Sequence, residues 1–505
     1  MLIVLFWAVM AGVLLKREVL VARLPLVESQ LGAQGIGPAD SWMGVYFSDG
    51  TKIGFTHSTV RRRPASSGGG FRARNVTRIR MSMLGHPIAI LANVNWTLDD
   101  NGKMEDLKFE MDSTDSLFTA EGKVVNGTLR LKVSTGETEF IKELPIGENI
   151  VVSDAFSPLT TLPDMEEGVE YAVEMLDPVA LVTRQARLRA GPIEKLDLGG
   201  ESVEARRVEV DFAGITAHVW GTSAGEIVKV DTPVGLVMIK EPPEVAMSGE
   251  AAGAVPPDLA SAAAIPAGRI IDRSEDVQRM VVQFSGVDLE NFDIWDDAQT
   301  VVRVVGKNVV VVEINKAVPE IGSAPQLPIS DGDLAEFVGA SPFIQSDDPR
   351  ILTAAREVVG DETNSWKAAL KLADWVDETV ENEAVASVPS AVDVLHARKG
   401  DCNEHTVLYV AMARAVGLPA KADIGVVYQK GFFYYHAWPE VYVGKWVRMD
   451  PTLGQDIADA THIKLSEGEL YRWADILPTV RQLKLEVTNV DYGGNGSQIA
   501  PAQGI

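Results

Sequence analysis

The chain of 505 residues is too long for a single hydrophobic core and divides into several domains. Its 46 Lys and Arg against 71 Asp and Glu give a net charge of −25, spread along the chain, which argues against nucleic acid as a partner. A single cysteine, Cys402, excludes an intrachain disulfide and any site built from several thiolates.

The chain opens on an apolar run from Leu2 to Leu15, closed by Lys16 and Arg17. The run is shorter than the roughly 20 residues that span a bilayer, and it has neither a basic leader nor a small-residue cleavage site. It reads as a membrane anchor over residues 1–22 that leaves the remainder in the periplasm or cell envelope. The basic pair on its downstream side runs against the usual orientation preference.

Residues 38–242 carry the signals of antiparallel β structure. "VYFSDGTKIGF", "WTLDDNGKMEDLKFEM" and "GKVVNGTLRLKV" each place Asp-Gly or Asn-Gly between alternating strands, a short-range hairpin cue. One large sheet, curved or closed into a sandwich or open barrel, is expected, with "RRRPASSGGGFRAR" as a flexible basic loop inside it. His57, His86 and His218 have no ligand spacing. Residues 243–268 are rich in Ala, Pro and Gly and read as a linker. A second β segment follows over 269–325, including "RMVVQFSGV" and "TVVRVVGKNVVVVEI".

Helical periodicity begins near Asp347. Asp348 is placed to cap a helix that starts on Pro349 and ends at Gly360. Trp366, Leu370, Ala373, Val376 and Val380 share a face of the next helix. "SAVDVLHAR" opens with a Ser390/Asp393 capping box. A second capping box, Asp401 with Glu404, starts a largely apolar helix that Gly417 and Pro419 stop. Cys402 stands at its first turn, where unpaired N–H groups and the helix dipole favour a thiolate.

A thiolate nucleophile needs a histidine, itself oriented by a carboxylate or amide. His405 reads as a packing residue, and His462 stands alone in a polar loop. His436 differs, because alternation in "GFFYYHAWPEVYVGKWVRMDPTLG" puts Phe432, Tyr434, His436, Trp438 and Glu440 on one strand face. A second strand ends at Asp450-Pro451. For His436 and Asp450 to meet, the hairpin between them needs an odd-numbered loop. A three-residue loop at Tyr442-Val443-Gly444 would set the two residues directly opposite, with Gly444 at the position that needs φ > 0.

"KGDCNEHTVLYVAMARAVGLPAKADIG", "HAWPEVYVGKWVRMDPT" and the preceding "SAVDVLHAR" resemble the transglutaminase-like family of papain-type cysteine enzymes. The resemblance covers roughly Gln345 to Val487. It implies Cys402 as nucleophile, His436 as general base and acid, and Asp450 as the orienting carboxylate. The Cys402 backbone N–H would supply one oxyanion donor. The expected fold is multidomain: β-rich N-terminal modules followed by an α+β, papain-like domain over 326–487 and a flexible tail over 488–505. The expected activity is attack on an amide through a Cys402 acyl-enzyme, resolved by water, on an extracytoplasmic protein or peptide. Resolution by an amine would make the protein a cross-linking acyltransferase, and a peptide-binding scaffold without turnover is the alternative of another class. No cofactor or metal is expected, since no acidic loop has calcium-site spacing.

Overall fold

The computed structural model describes residues 22–23, 39–113, 116–147, 150–152, 162, 165–212, 215–248, 258–287, 295–306, 308–468, 472 and 476–493. The apolar run Leu2 to Leu15 lies outside these residues. Among the described residues no helix is long and apolar enough to cross a membrane.

The hairpin cues fold as read. Strands Ala39–Phe47, Lys52–Arg62, Phe71–Met83, His86–Leu98, Met104–Ser113, Ser116–Val125, Thr128–Ser134 and Glu139–Pro145 form an antiparallel meander. The turn between Val125 and Thr128 has Asn126 at φ 52° and Gly127 at φ 76°, the left-handed pair that matches strand twist. The basic loop is shorter than expected. Arg61 and Arg62 end one strand, Phe71 to Arg74 begin the next, and Gly70 N–H is held by Asp100 at 3.0 Å.

The meander continues at its other edge through Leu236–Lys240, Ile227–Asp231, Ile215–Gly221, Glu201–Phe212, Val182–Leu198 and Glu170–Asp177, giving one 16-stranded sheet. Its two ends come back together. Ile150–Val152 follows the last meander strand closely yet pairs in parallel with Glu170–Asp177 at the opposite end. The chain from Pro145 to Ile150 reaches at most about 18 Å, so the sheet must coil into an open barrel. Inward alternation buries Val45, Ile79, Met175, Leu188, Val210 and Met238 in one cluster and Phe109, Phe118, Leu129 and Leu131 in another.

The segment expected as a linker is structured at both its described ends. Pro243–Met247 forms one helical turn, and Leu259–Ala263 forms another, capped by Asp258. Asp258 also accepts the Gly85 N–H at 2.8 Å, and the strand Ile265–Pro266 pairs with Phe432–Tyr442 in the C-terminal sheet. Composition registered the Ala and Pro content; it did not register that Ile265 and Ala267 are buried.

The second β segment is likewise completed from afar. Gln299–Gly306, Val309–Asn315 and Arg279–Ser285 are joined by Lys484–Asp491 in a four-stranded sheet. The boundary drawn at Val487 therefore falls inside a strand, and residues 489–491 of the expected tail are paired.

In the C-terminal region, helices Pro349–Val359, Ser365–Thr379 and Ala391–Ala397 surround a central helix, Cys402–Ala415, buried on nearly all sides. These helices share a core with Ala420, Val441, Val447 and Met449 of the sheet beside them. That sheet runs Ile265–Pro266, Phe432–Tyr442, Ala420–Gln429, Ile463–Gly468, with Trp446–Arg448 on the histidine strand. A second core joins Ile424, Val426 and Ile463 to Val282, Phe284 and Val312 of the four-stranded sheet.

Asp348 and Asp401 cap as expected, but the Ser390/Asp393 box does not form. Asp393 instead accepts the Glu137 N–H at 2.7 Å from a turn of the N-terminal sheet, and Ser390 Oγ lies 3.3 Å from Thr138 Oγ1. Phe140 and Phe343 meet edge-on beside them, with centroids 5.6 Å apart. Contacts across the domain boundary displace the local cap.

Candidate active site

The cysteine helix is set by a reciprocal cap. Asp401 Oδ1 accepts the Asn403 N–H at 3.0 Å, and Glu404 Oε2 accepts the Asp401 N–H at 2.9 Å. Ser387 donates to the other Glu404 oxygen at 2.5 Å, tying the 383–389 loop to the helix head. His405 is fully buried, with Nδ1 2.7 Å from Asp401 O and Nε2 3.1 Å from Val380 O, so it anchors this corner. Cys402 is thereby held at the first helical position, largely buried.

The Phe432–Tyr442 strand passes the helix head. The Ala437 N–H donates to the Cys402 sulfur. His436 lies opposite Gly425 in the neighbouring strand. A side chain at Gly425 would come within 2.0 Å of Ile463 O and 2.9 Å of the Trp438 ring, so only glycine lets the strands and the Trp438 indole close up. Trp438 lies beside His436 with ring centroids 6.0 Å apart.

The return strand brings Asp450. The loop is odd-numbered, but it spans Val443 to Lys445, pairing Tyr442 with Trp446. Gly444 sits in it at φ 102°. The register is shifted by two from the expected one: continued past Met449 N–H to Pro439 O at 2.9 Å, it sets Trp438, not His436, across from Asp450. A shift of two preserves the face, and His436 Nε2 reaches Asp450 Oδ2 at 2.8 Å. Asp450 Oδ1 accepts the N–H groups of Thr452 and Leu453 at 2.9 and 3.1 Å.

His462 is the residue the sequence reading missed. It is no loop residue open to water but fully buried, and its Nε2 lies 3.0 Å from Asp450 Oδ2. Its Nδ1 faces Asp459, 3.1 Å from the carbonyl and 3.6 Å from Oδ1. Burial alone would lower the His462 pKa; the Asp459 charge and the hydrogen bonds to Asp450 and Asp459 raise it to about 9. Burial alone would raise the Asp450 carboxyl, but His436 and His462 hold it well below the usual carboxylate range. Donor atoms of His436, Asp450 and His462 lie within 4.8 Å of one another, a spacing a metal could use. The same atoms are joined by the hydrogen-bond contacts of both imidazoles with Asp450 Oδ2. No ligand spacing in the sequence marks His462, because it follows Asp450 through a loop closed by the Asp450–Gln455 bridge.

Residues 353–451 match the family model for the transglutaminase-like superfamily. The C-terminal region is transglutaminase-like. The matched segment contains Cys402, His436 and Asp450 and stops short of His462. Among solved structures, similarity extends to a candidate cysteine protease from Cytophaga hutchinsonii (19% identity, 43% of this chain and 86% of that one, TM-score 0.31). It extends also to a β-barrel-like protein of a domain of unknown function from Brucella abortus (10% identity, 40% and 94%, TM-score 0.28). A third is a candidate protease from Parabacteroides distasonis (9% identity, 79% and 69%, TM-score 0.19). No curated protein matches the chain. The chain thus joins β-rich N-terminal modules to a transglutaminase-like α+β region.

One expectation for the transglutaminase-like region is reversed. The helix terminus was expected to favour a thiolate. Burial pushes the Cys402 thiol well above its ordinary value, the Asp401 charge adds to this, and the Ala437 N–H only partly offsets them. Burial is the larger cause, and the charge of the capping Asp401 comes next.

Behind Trp438 the same region holds a buried ionic cluster. Lys421 meets Glu440 and Glu467 at 3.2 and 2.7 Å, and Arg448 meets Asp296 at 2.7 Å and Asp423 at 3.5 Å. Lys464 meets Asp296 at 2.5 Å and Glu467 at 2.9 Å. Asp423, Glu440 and Glu467 also have metal-like spacing, but these three cations are interleaved with them. Asp296 comes from beside the second β segment, so the cluster locks that module to the histidine strand.

Proposed function

We propose that the transglutaminase-like region is a cysteine hydrolase that cleaves an amide through an acyl-enzyme on Cys402. The observation that carries this reading is the His436–Asp450 hydrogen bond beside the head of the Cys402 helix, with Cys402 and His436 lining one cavity. Asp450 accepts only, so His436 carries its proton on Nε2 and keeps the Nδ1 lone pair for the thiol. Because Cys402 rests as a thiol, its proton passes to His436 as the sulfur attacks, and no ion pair precedes the substrate. Asp450 stabilises the imidazolium that forms. The Cys402 N–H, with no partner inside its helix, supports the oxyanion. The amine departs with the proton from His436, and water resolves the thioester by the reverse proton path.

We place this activity outside the cytoplasm, on a protein or peptide, with the apolar run Leu2 to Leu15 as the membrane attachment. The test is intact-mass spectrometry of the protein mixed with activated acyl amides. An acyl adduct on Cys402 that disappears in water, and is absent from a folded Cys402→Ser variant, is expected. Transfer to an added amine in preference to water would make the protein a cross-linking enzyme. Peptide binding with no adduct would leave a scaffold and overturn the reading.

A further inference from the structure

The cavity that holds Cys402 and His436 has a volume of about 1180 Å³, above the roughly 300–1,000 Å³ of ordinary small-molecule sites. Its far wall belongs to the N-terminal barrel, which presents Met81, Met83, Met111, Phe212, Val234 and Leu236. Met83, Met111, Phe212 and Val234 are half-buried: each packs against the barrel core and also lines the cavity.

Three polar side chains stand on that wall, His86, Asp177 and Thr232, and the last two are engaged by their own turns. Asp177 Oδ1 accepts the Val179 and Ala180 N–H groups at 2.9 and 3.0 Å, and Thr232 Oγ1 exchanges hydrogen bonds with Leu236 at 3.0 and 3.1 Å. A peptide backbone placed against this wall would leave most of its N–H and C=O groups unpaired, with His86 alone at the rim to meet them, at substantial cost. A hydrocarbon chain needs no such partners, and flexible methionines adapt to its shape.

We propose that the barrel makes an acyl-chain chamber, and that the substrate is a long-chain fatty acyl amide whose chain enters it while the carbonyl stays at Cys402. This rests on the cysteine-hydrolase reading and puts a fatty acyl amide in place of the protein or peptide substrate given there. The Cys402 sulfur bonds to the acyl carbon as its proton moves to His436; the C–N bond breaks and the amine leaves with that proton. Water then gives a proton to His436 and bonds to the acyl carbon. The C–S bond breaks, the sulfur recovers the proton, and a fatty acid is released.

The experiment has two arms. In the first, kcat/KM is measured for acetyl, octanoyl and hexadecanoyl amides of one fluorogenic amine. The expected gain is roughly fourfold per added methylene until the chamber is full. In the second, binding of a dansylated undecanoic acid to Cys402→Ser is followed by fluorescence, with hexadecanoate as competitor. Saturable, displaceable binding is expected, weakened at least tenfold by Val234→Glu in a variant shown by its melting curve to be folded. Turnover with no dependence on chain length, or preference for peptides over acyl amides, overturns the chamber and leaves the nucleophile standing. Fatty-probe binding without turnover of any amide supports the chamber and removes the hydrolase reading. Absence of probe binding in the Cys402→Ser protein overturns the chamber directly.

Discussion

His462 Nε2 lies 3.0 Å from Asp450 Oδ2, the same oxygen that His436 Nε2 meets at 2.8 Å. One carboxylate oxygen thus serves two imidazoles, and the second is held in place by Asp459. The negative charge that orients His436 is partly neutralised before any substrate arrives. This sets how the region responds to pH.

The His462 pKa rises on folding from 6.5 to about 9. A group raised in the folded state contributes stability that is fully present below its unfolded value and is lost as pH rises through the folded one. Wild-type protein should therefore lose stability between pH 6.5 and 9 relative to His462→Gln, by of the order of 3 kcal/mol. Urea melts of the two proteins across that range check this; parallel curves would show that His462 is neutral in the folded protein.

Asp450→Asn keeps the size of the side chain but removes the charge and can present an N–H to the histidines. His436 would then favour the wrong tautomer. Turnover should fall by roughly 10³–10⁴-fold, and the melting temperature should fall as well, because the buried His462 loses the charge it faces. Steady-state kinetics on any substrate that acylates Cys402 provide the check, and a loss under tenfold would mean that Asp450 does not orient His436.

Alkylation of Cys402 by iodoacetamide should follow a titration displaced above that of an ordinary thiol. Asp401→Asn should move the curve down, since Asn caps a helix nearly as well as Asp but carries no charge. An inflection near or below neutrality in the unmodified protein would mean that a thiolate is already formed at rest.

Gly425→Ala should destabilise the region by about 3 kcal/mol, because the added carbon meets the Ile463 carbonyl at 2.0 Å and the Trp438 ring at 2.9 Å. Since Gly425 lies opposite His436, turnover should fall along with stability. Calorimetry beside an activity assay would detect either effect failing to appear.

Local chemistry was legible in the sequence. Asp-Gly and Asn-Gly turns, the Asp348 and Asp401 caps, and the odd-numbered loop before Trp446 each depend on a few neighbouring residues. Parity of the loop is a hard constraint, because a slip of one residue would move His436 to the other face of the pleat. A slip of two keeps the face, and only tertiary packing chose it: Trp446 is fitted edge-on between Phe337 and Tyr442, with centroids 5.0 and 5.7 Å away.

What the sequence alone determined about this protein is thus its β-rich and α+β succession and the shared face of His436 and Asp450, because these reside in local pattern and loop parity. Tertiary structure decided the rest. Ser390 and Asp393 left their cap for a turn of the barrel, Lys484–Asp491 crossed back to the second sheet, and His462 joined Asp450. Tertiary structure also placed the barrel wall over Cys402. Each outcome is a competition between a weak local preference and burial or pairing with residues far away in the chain. Such partners leave no periodicity or spacing behind, so only the folded chain shows which side wins.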